Sequence, residues 1–164
     1  MKLTKENFEC VNEANSEEEE KRQWEKSQIV FDEFEDYLHT KGYNNTLIQS
    51  LLEYSSYFVM NYFFVYEDEL SVLETDDTTI RKFLGNWYIR EIESPAFTEM
   101  KEILAALLEF FEFVLIIDFI TTEQFLNIEQ VCNDKTWFEN RLKTYKTTDT
   151  KGFKAWIDEY NYDW

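Results

Sequence analysis

The chain has few of the residues that end helices and form tight turns. Its 164 residues include three glycines and one proline. A β-rich chain of this length needs many more turn residues, because connections between strands require Gly, Pro, Asn or Asp in particular backbone conformations. The shortage predicts long helices with few connections, and the length suits one domain with a continuous core. We therefore expect an all-α fold, a single compact bundle of about five to seven helices.

Histidine and cysteine are also scarce, which excludes several kinds of active site. His39 is the single histidine, so a His-rich metal site is excluded and Ser–His or Cys–His catalysis would depend on one residue near a helix end. Cys10 and Cys132 lie far apart without a CxxC motif, as is typical of a reducing, cytoplasmic compartment. Phosphate-binding glycine motifs and GxSxG are absent from the sequence. We expect no enzyme activity, no catalytic residue, no metal site and no cofactor.

The chain also has few basic residues relative to acidic ones. Lys and Arg number 16 against 34 Asp and Glu, a net charge of −18. Such a charge repels nucleic acid and anionic membranes and favours basic partners. One apolar run, residues 103–120, contains Glu109, Glu112 and Asp118, and placing each acid in lipid would cost ~2.5–3.5 kcal/mol. This run therefore predicts a core helix on which Glu102, Glu109 and Glu112 form a narrow solvated stripe. We expect the whole chain to be a cytoplasmic protein without a membrane partner.

Apolar residues recur with the 3.6-residue period of helices along most of the chain. The pattern predicts helices near residues 16–41, 46–66, 76–92, 95–119, 122–132 and 134–145. Ser16 before four glutamates predicts the first N-terminus, and Gly42 predicts the end of that helix. Ser94 and Pro95 predict the N-cap and first residue of the fourth helix. We expect the apolar faces of the third and fourth helices to share a core, with Phe83, Trp87, Leu107 and Phe111 in it.

The composition divides the chain into three parts. Residues 1–15 are a polar segment without periodicity, residues 16–146 form the bundle, and residues 147–164 form a C-terminal amphipathic helix behind a polar hinge at 146–152. Helices of about ten residues are marginally stable alone in water, so the last one must dock on its own bundle or on another chain.

The C-terminal helix carries one apolar stripe, formed by Phe153, Trp156, Ile157 and Tyr160 at the spacing i, i+3, i+4 and i+7. One interpretation is that the stripe folds back and covers the bundle. The other is that it binds a protein partner or a second copy, since aromatic residues dominate many interfaces. These four residues are the candidate partner-binding site.

Three segments resemble the core-binding domain of tyrosine recombinases, the SAM-like N-terminal domain of phage integrases. They read FDEFEDYLHTKGYNNTLIQSLLEYSSYFVMNYF, TDDTTIRKFLGNWYIRE and SPAFTEMKEILAALLEFFEFV, within residues 31–120. The resemblance lies in a short loop before Thr46, the pair Phe83-Leu84, and a Ser-initiated fourth helix with a Phe pair near its end. It implies a SAM-like bundle that contacts duplex DNA through its second and fourth helices.

The sequence departs from this family in two respects. The recombinase catalytic domain is absent, so no catalytic residue carries over. The predicted second helix, residues 46–66, has no Lys or Arg, and the fourth offers Lys101 against five acids, whereas DNA-binding proteins typically neutralise ~6–10 phosphates.

The leading hypothesis is a non-enzymatic helical module that acts by protein–protein contact or self-association. One alternative is a DNA-binding accessory protein of a mobile element, which the resemblance implies. Another is an acidic DNA mimic, which the charge favours.

Overall fold

Seven helices make up most of residues 3–11, 16–67 and 69–159, the part of the chain described by this computed structural model. Helix α1 is Glu17–Thr40. Helix α2, residues 45–66, consists of α-helical Asn45–Ser56, π-helical Tyr57–Phe63 and α-helical Phe64–Tyr66. Helix α3, residues 77–91, joins Asp77–Lys82, π-helical Phe83–Trp87 and Tyr88–Glu91. The others are α4 (Phe97–Ile116), α5 (Thr122–Asn133), α6 (Lys135–Thr147) and α7 (Thr150–Asp158), with 3-10 helices at Lys5–Phe8 and Val72–Glu74. The predicted all-α bundle is confirmed.

Most helix ends lie where the capping residues predict. Ser16 is the N-cap residue of α1, and Gly42 follows that helix with a φ of 75°, a conformation that glycine adopts without steric cost. The side chains of Asn44, Asp76 and Thr121 cap α2, α3 and α5 by accepting backbone N–H bonds. Local sequence therefore decides these boundaries.

The structure corrects the predicted start of α4. The sequence predicts Ser94 at the N-cap and Pro95 at the first helical position, but the helix begins at Phe97 with Ala96 at its N-cap. Ile92 and Phe97 both pack against the core, so the residues between them form the connection from α3.

The end of α4 also differs from the predicted position near residue 119. The helix ends at Ile116, because Asp118 adopts a left-handed φ of 61°. The Asp118 N–H donates to the Leu115 carbonyl at 2.9 Å, and the Phe119 N–H donates to the Val114 carbonyl at 3.1 Å. These two bonds form a Schellman motif, which usually contains glycine and so is not indicated by this sequence.

The polar hinge predicted over residues 146–152 is shorter in the structure. Helix α6 continues to Thr147 and α7 begins at Thr150, which leaves Thr148 and Asp149 between them. The Asp149 carboxylate accepts the Gly152 N–H at 2.8 Å. This cap starts α7 inside the predicted hinge.

Helix α4 is the centre of the bundle and contacts α1, α2, α5 and α6. Phe83, Trp87, Leu107 and Phe111 are all buried in one cluster, which confirms the predicted shared core. Phe58 links the two helices, with its ring centroid 5.1 Å from that of Phe83 and 6.2 Å from that of Phe111. Residues 103–116 of the apolar run thus belong to a core helix. None of the helices in the described ranges has the length and apolar character needed to cross a bilayer.

The N-terminal segment adds a core residue that its polar composition does not indicate. Phe8 is buried, with its ring centroid 5.7 Å from that of Phe119 and 6.4 Å from that of Phe110. The Cys10 N–H donates to the Leu70 carbonyl at 2.6 Å. The described part of residues 1–15 therefore packs on the bundle.

Candidate protein-interaction groove

The C-terminal stripe lies partly inside the bundle. Trp156 is 5% exposed, Ile157 is partly buried and packs against the core, and Phe153 is 39% exposed. Tyr160 lies outside the described residues. Among the three described residues of the stripe Phe153 is the most exposed, and a partner role for the four residues stays a prediction.

Arg141 on α6 holds α7 in place. Its guanidinium donates to the carbonyls of Gly85 at 2.9 Å and Trp156 at 3.0 Å, and to the Glu159 carboxylate at 3.0 Å. The guanidinium carbon lies 3.8 Å from the centroid of the Trp156 ring. The Asn86 side chain donates to the Ile157 carbonyl at 2.8 Å. Because these contacts join α3, α6 and α7, the last helix completes the bundle in the described conformation.

The acids on α4 bind tyrosine hydroxyls of neighbouring elements. Glu112 and Glu109 accept from Tyr37 and Tyr43, both at 2.8 Å, and Lys41 donates to these two carboxylates at 2.6 and 2.7 Å. Further along the helix, Tyr54 donates to Glu102 at 3.1 Å and Tyr88 to Glu99 at 3.0 Å. The sequence predicts a solvated stripe here, whereas the structure uses it to attach α1, α2 and α3 to α4.

These bonds predict a loss of stability at alkaline pH. Burial and a carboxylate acceptor raise the pKa of Tyr37 and of Tyr54 to about 12, and they raise that of Tyr88 as well. An unfolded chain loses tyrosine protons near pH ~10 while the folded chain keeps them, so the free energy of unfolding falls as pH rises above ~10. Urea unfolding at about pH 8 and about pH 11 should show this decrease, and tyrosinate absorbance should follow unfolding.

The double variant Tyr37→Phe, Tyr54→Phe is the control. It should be slightly less stable at neutral pH and should lose less stability between the two pH values. Equal losses in both proteins would show that these hydroxyls do not cause the alkaline effect.

A groove runs between the antiparallel helices α1 and α2. At one end Phe31, Glu35 and Glu53 are among the residues lining a cavity of about 470 Å³. At the other, Glu20 on α1 and Phe64 on α2 are among those lining a cavity of about 530 Å³, which Cys10 and Val11 close. The two cavities occupy the same side of the helix pair, since the α2 residues that line them follow one another at intervals of one, three or four positions: Gln49, Leu52, Glu53, Ser56, Met60, Phe64 and Val65.

Trp24 lies on α1 between the positions that line the two cavities. It is four residues after Glu20 and four before Gln28, so it shares their side of α1. Trp24 is 59% exposed, and Val65 across the groove is 61% exposed. Sequence reasoning missed this site; the signal was a single tryptophan in the otherwise charged and polar run EEEEKRQWEKSQ.

The charged residues lining the two cavities are acidic: Glu20, Glu35 and Glu53. Helix α2 has no Lys or Arg. Lys21, next to Glu20, forms an ion pair with Glu25 at 3.9 Å. The groove therefore has acidic residues in both cavities, and its apolar side chains are concentrated in the cavity lined by Met60, Phe64 and Val65.

Positive charge is concentrated elsewhere, in residues 135–154. This range has six basic residues against Glu139 and Asp149, a net charge of +4, so the rest of the chain carries −22. Its lysines are exposed on α6 and α7: Lys135, Lys143, Lys146, Lys151 and Lys154. The charge is thus distributed unevenly between the groove and the C-terminal helices.

No protein-family model, curated protein or solved structure matches this chain. The resemblance to the core-binding domain rests on the three sequence segments and stays a prediction.

Proposed function

We propose that this protein is a non-enzymatic helical module that binds a basic protein partner through the α1–α2 groove. The observation that carries the proposal is Trp24, an exposed aromatic residue between the α1 positions that line two cavities whose charged lining residues are acidic. An exposed tryptophan next to residues that line acidic cavities favours a partner with apolar and cationic side chains, because aromatic residues supply much of the binding energy of interfaces and opposite charges attract.

Duplex DNA suits this surface poorly. In the core-binding resemblance the second and fourth helices face DNA, and here α2 lacks Lys and Arg while α4 has Lys101 alone. Non-specific DNA binding depends on neutralising phosphates. The recombinase-like and DNA-mimic alternatives remain open, and the exposed lysines of α6 and α7 are where surviving DNA contact would occur.

We therefore expect no duplex binding tighter than ~10 µM at physiological salt, within the range of ordinary non-specific binding. A gel-shift titration with labelled duplex measures this. Saturable, salt-sensitive binding in the low micromolar range that Lys143→Glu with Lys151→Glu abolishes would favour the DNA-binding alternative. A DNA mimic would instead compete with duplex for a basic DNA-binding protein.

Charge reversal tests the proposed function directly. The groove variant carries Glu20→Lys and Glu53→Lys, and the control variant carries Glu91→Lys and Glu93→Lys; all four positions are exposed and the change in charge is equal. Each protein is used to capture partners from native lysate, followed by cross-linking and mass spectrometry. We expect a partner that wild type and control retain, that the groove variant loses, and that cross-links to α1 and α2.

Capture that is identical for all three proteins would overturn the proposal, because the groove charges would then be irrelevant. Circular dichroism of each variant confirms that the helices are retained before the comparison is made.

A further inference from the structure

The shape of the groove indicates what kind of segment it accepts. Its α1 wall extends from Glu20 to Glu35, about 22 Å at the helical rise of ~1.5 Å per residue. This length matches about four turns of a docked helix. Strand addition would need an exposed sheet edge, and the described ranges contain an isolated bridge between Glu9 and Ser71 but no strand.

Apolar anchors are concentrated at one end. Trp24 and Val65 are exposed, while Met60 and Phe64 are partly buried and pack against the core. An amphipathic helix would place its i, i+3, i+4 and i+7 side chains on such a surface. Met60 suits this role because its unbranched thioether adapts to different partners.

The opposite end is polar and acidic. Leu52 lies there beside Glu35 and Glu53, and the amide of Gln28, which also lines this cavity, donates to Asp32 at 2.7 Å. Lys or Arg at the edges of a docked helix would meet a carboxylate at each end of the groove, Glu20 at one and Glu35 or Glu53 at the other. Because these acids lie on both walls, charge complementarity selects a segment that is basic along its length.

We propose that the α1–α2 groove binds a basic amphipathic helix of about four turns, with its apolar face on Trp24 and its cationic residues toward Glu20, Glu35 and Glu53. This inference rests on the proposed function and specifies the partner of the same site. A second copy of this chain is the less suitable occupant, since two molecules of charge −18 repel each other.

A fluorescein-labelled, 18-residue Leu/Lys peptide with apolar residues at i, i+3, i+4 and i+7 is the probe, and anisotropy measures its affinity. Control peptides have the same composition in a non-amphipathic order, or Glu in place of Lys. We expect binding of the amphipathic basic peptide to be at least about ten-fold tighter than that of either control, equivalent to about 1.4 kcal/mol.

Matched protein variants locate the site. Trp24→Ala should weaken the peptide at least about ten-fold, as should Glu20→Lys with Glu53→Lys, because hot-spot truncation has effects of this size. Leu126→Ala, at an exposed leucine on α5, should leave affinity within about two-fold.

The outcomes separate the helix inference from the proposed function. Equal binding of the scrambled basic peptide would reduce the effect to general charge attraction and overturn the helix inference. The helix inference would also be overturned if none of the peptides bound while the groove variant still lost its captured partner. In that case the proposed function stands. Light scattering that shows a dimer dissociated by Trp24→Ala would make a second copy the occupant and overturn the basic-helix proposal.

Discussion

Truncating Phe111 to Ala is expected to lower the free energy of unfolding by about 3–5 kcal/mol, since the deletion leaves a cavity in a closely packed core. Phe111 is fully buried on α4. Its ring is edge-on to Phe110, with centroids 5.3 Å apart, and also contacts Phe58 on α2. Urea unfolding followed by circular dichroism measures the change.

Ile116→Ala is the matched control on the same helix. Ile116 is largely exposed, so its truncation should change stability by no more than about 0.5 kcal/mol. If both variants unfolded at the same urea concentration, α4 would not have the buried face that the structure gives it.

Trp156→Ala is expected to lower the free energy of unfolding by about 3–5 kcal/mol, because this ring on α7 is buried against α6. Its indole N–H donates to the Arg141 carbonyl at 3.2 Å and the Thr144 hydroxyl at 3.1 Å. The ring also contacts Tyr145, with centroids 5.0 Å apart. Thermal unfolding of the monomer at low concentration is the measurement.

Phe153→Ala provides the comparison within α7. Phe153 is more exposed and contacts Tyr145 at a centroid distance of 6.0 Å, so its truncation should cost about 1 kcal/mol or less. Deleting residues 147–164 should cost several kcal/mol for the same reason as Trp156→Ala. If stability were unchanged after deletion while a complex or dimer was lost, the C-terminal stripe would be the partner site.

Sequence reasoning found the buried faces and most helix starts because both depend on near neighbours in the chain. Apolar spacing identified Phe83 and Trp87 on α3 and Leu107 and Phe111 on α4 as core residues. Capping residues such as Asp76 act within a few positions, so their effects can be predicted without knowing the fold.

The candidate site was harder to predict from the sequence. Trp24 belongs to a run that otherwise has the composition of a solvated helix, and only the packing of α1 against α2 forms the cavities lined by its neighbours along α1, Glu20 and Gln28. Glu109 and Glu112 likewise have the spacing of a solvated helix face, but they form ion pairs with Lys41 across the bundle. No local pattern specifies which distant residue will be opposite.

The amino-acid sequence by itself determined that the chain is helical, that α4 is a core helix and that the surface is strongly acidic, since propensity, periodicity and net charge are properties of the chain. The tertiary structure alone decided that Phe8 joins the core, that Asp118 ends α4, that Arg141 is buried under α7, and that two cavities with acidic lining residues form between α1 and α2. Each of these depends on which residues packing brings together from distant parts of the chain, and only the folded arrangement specifies those pairs.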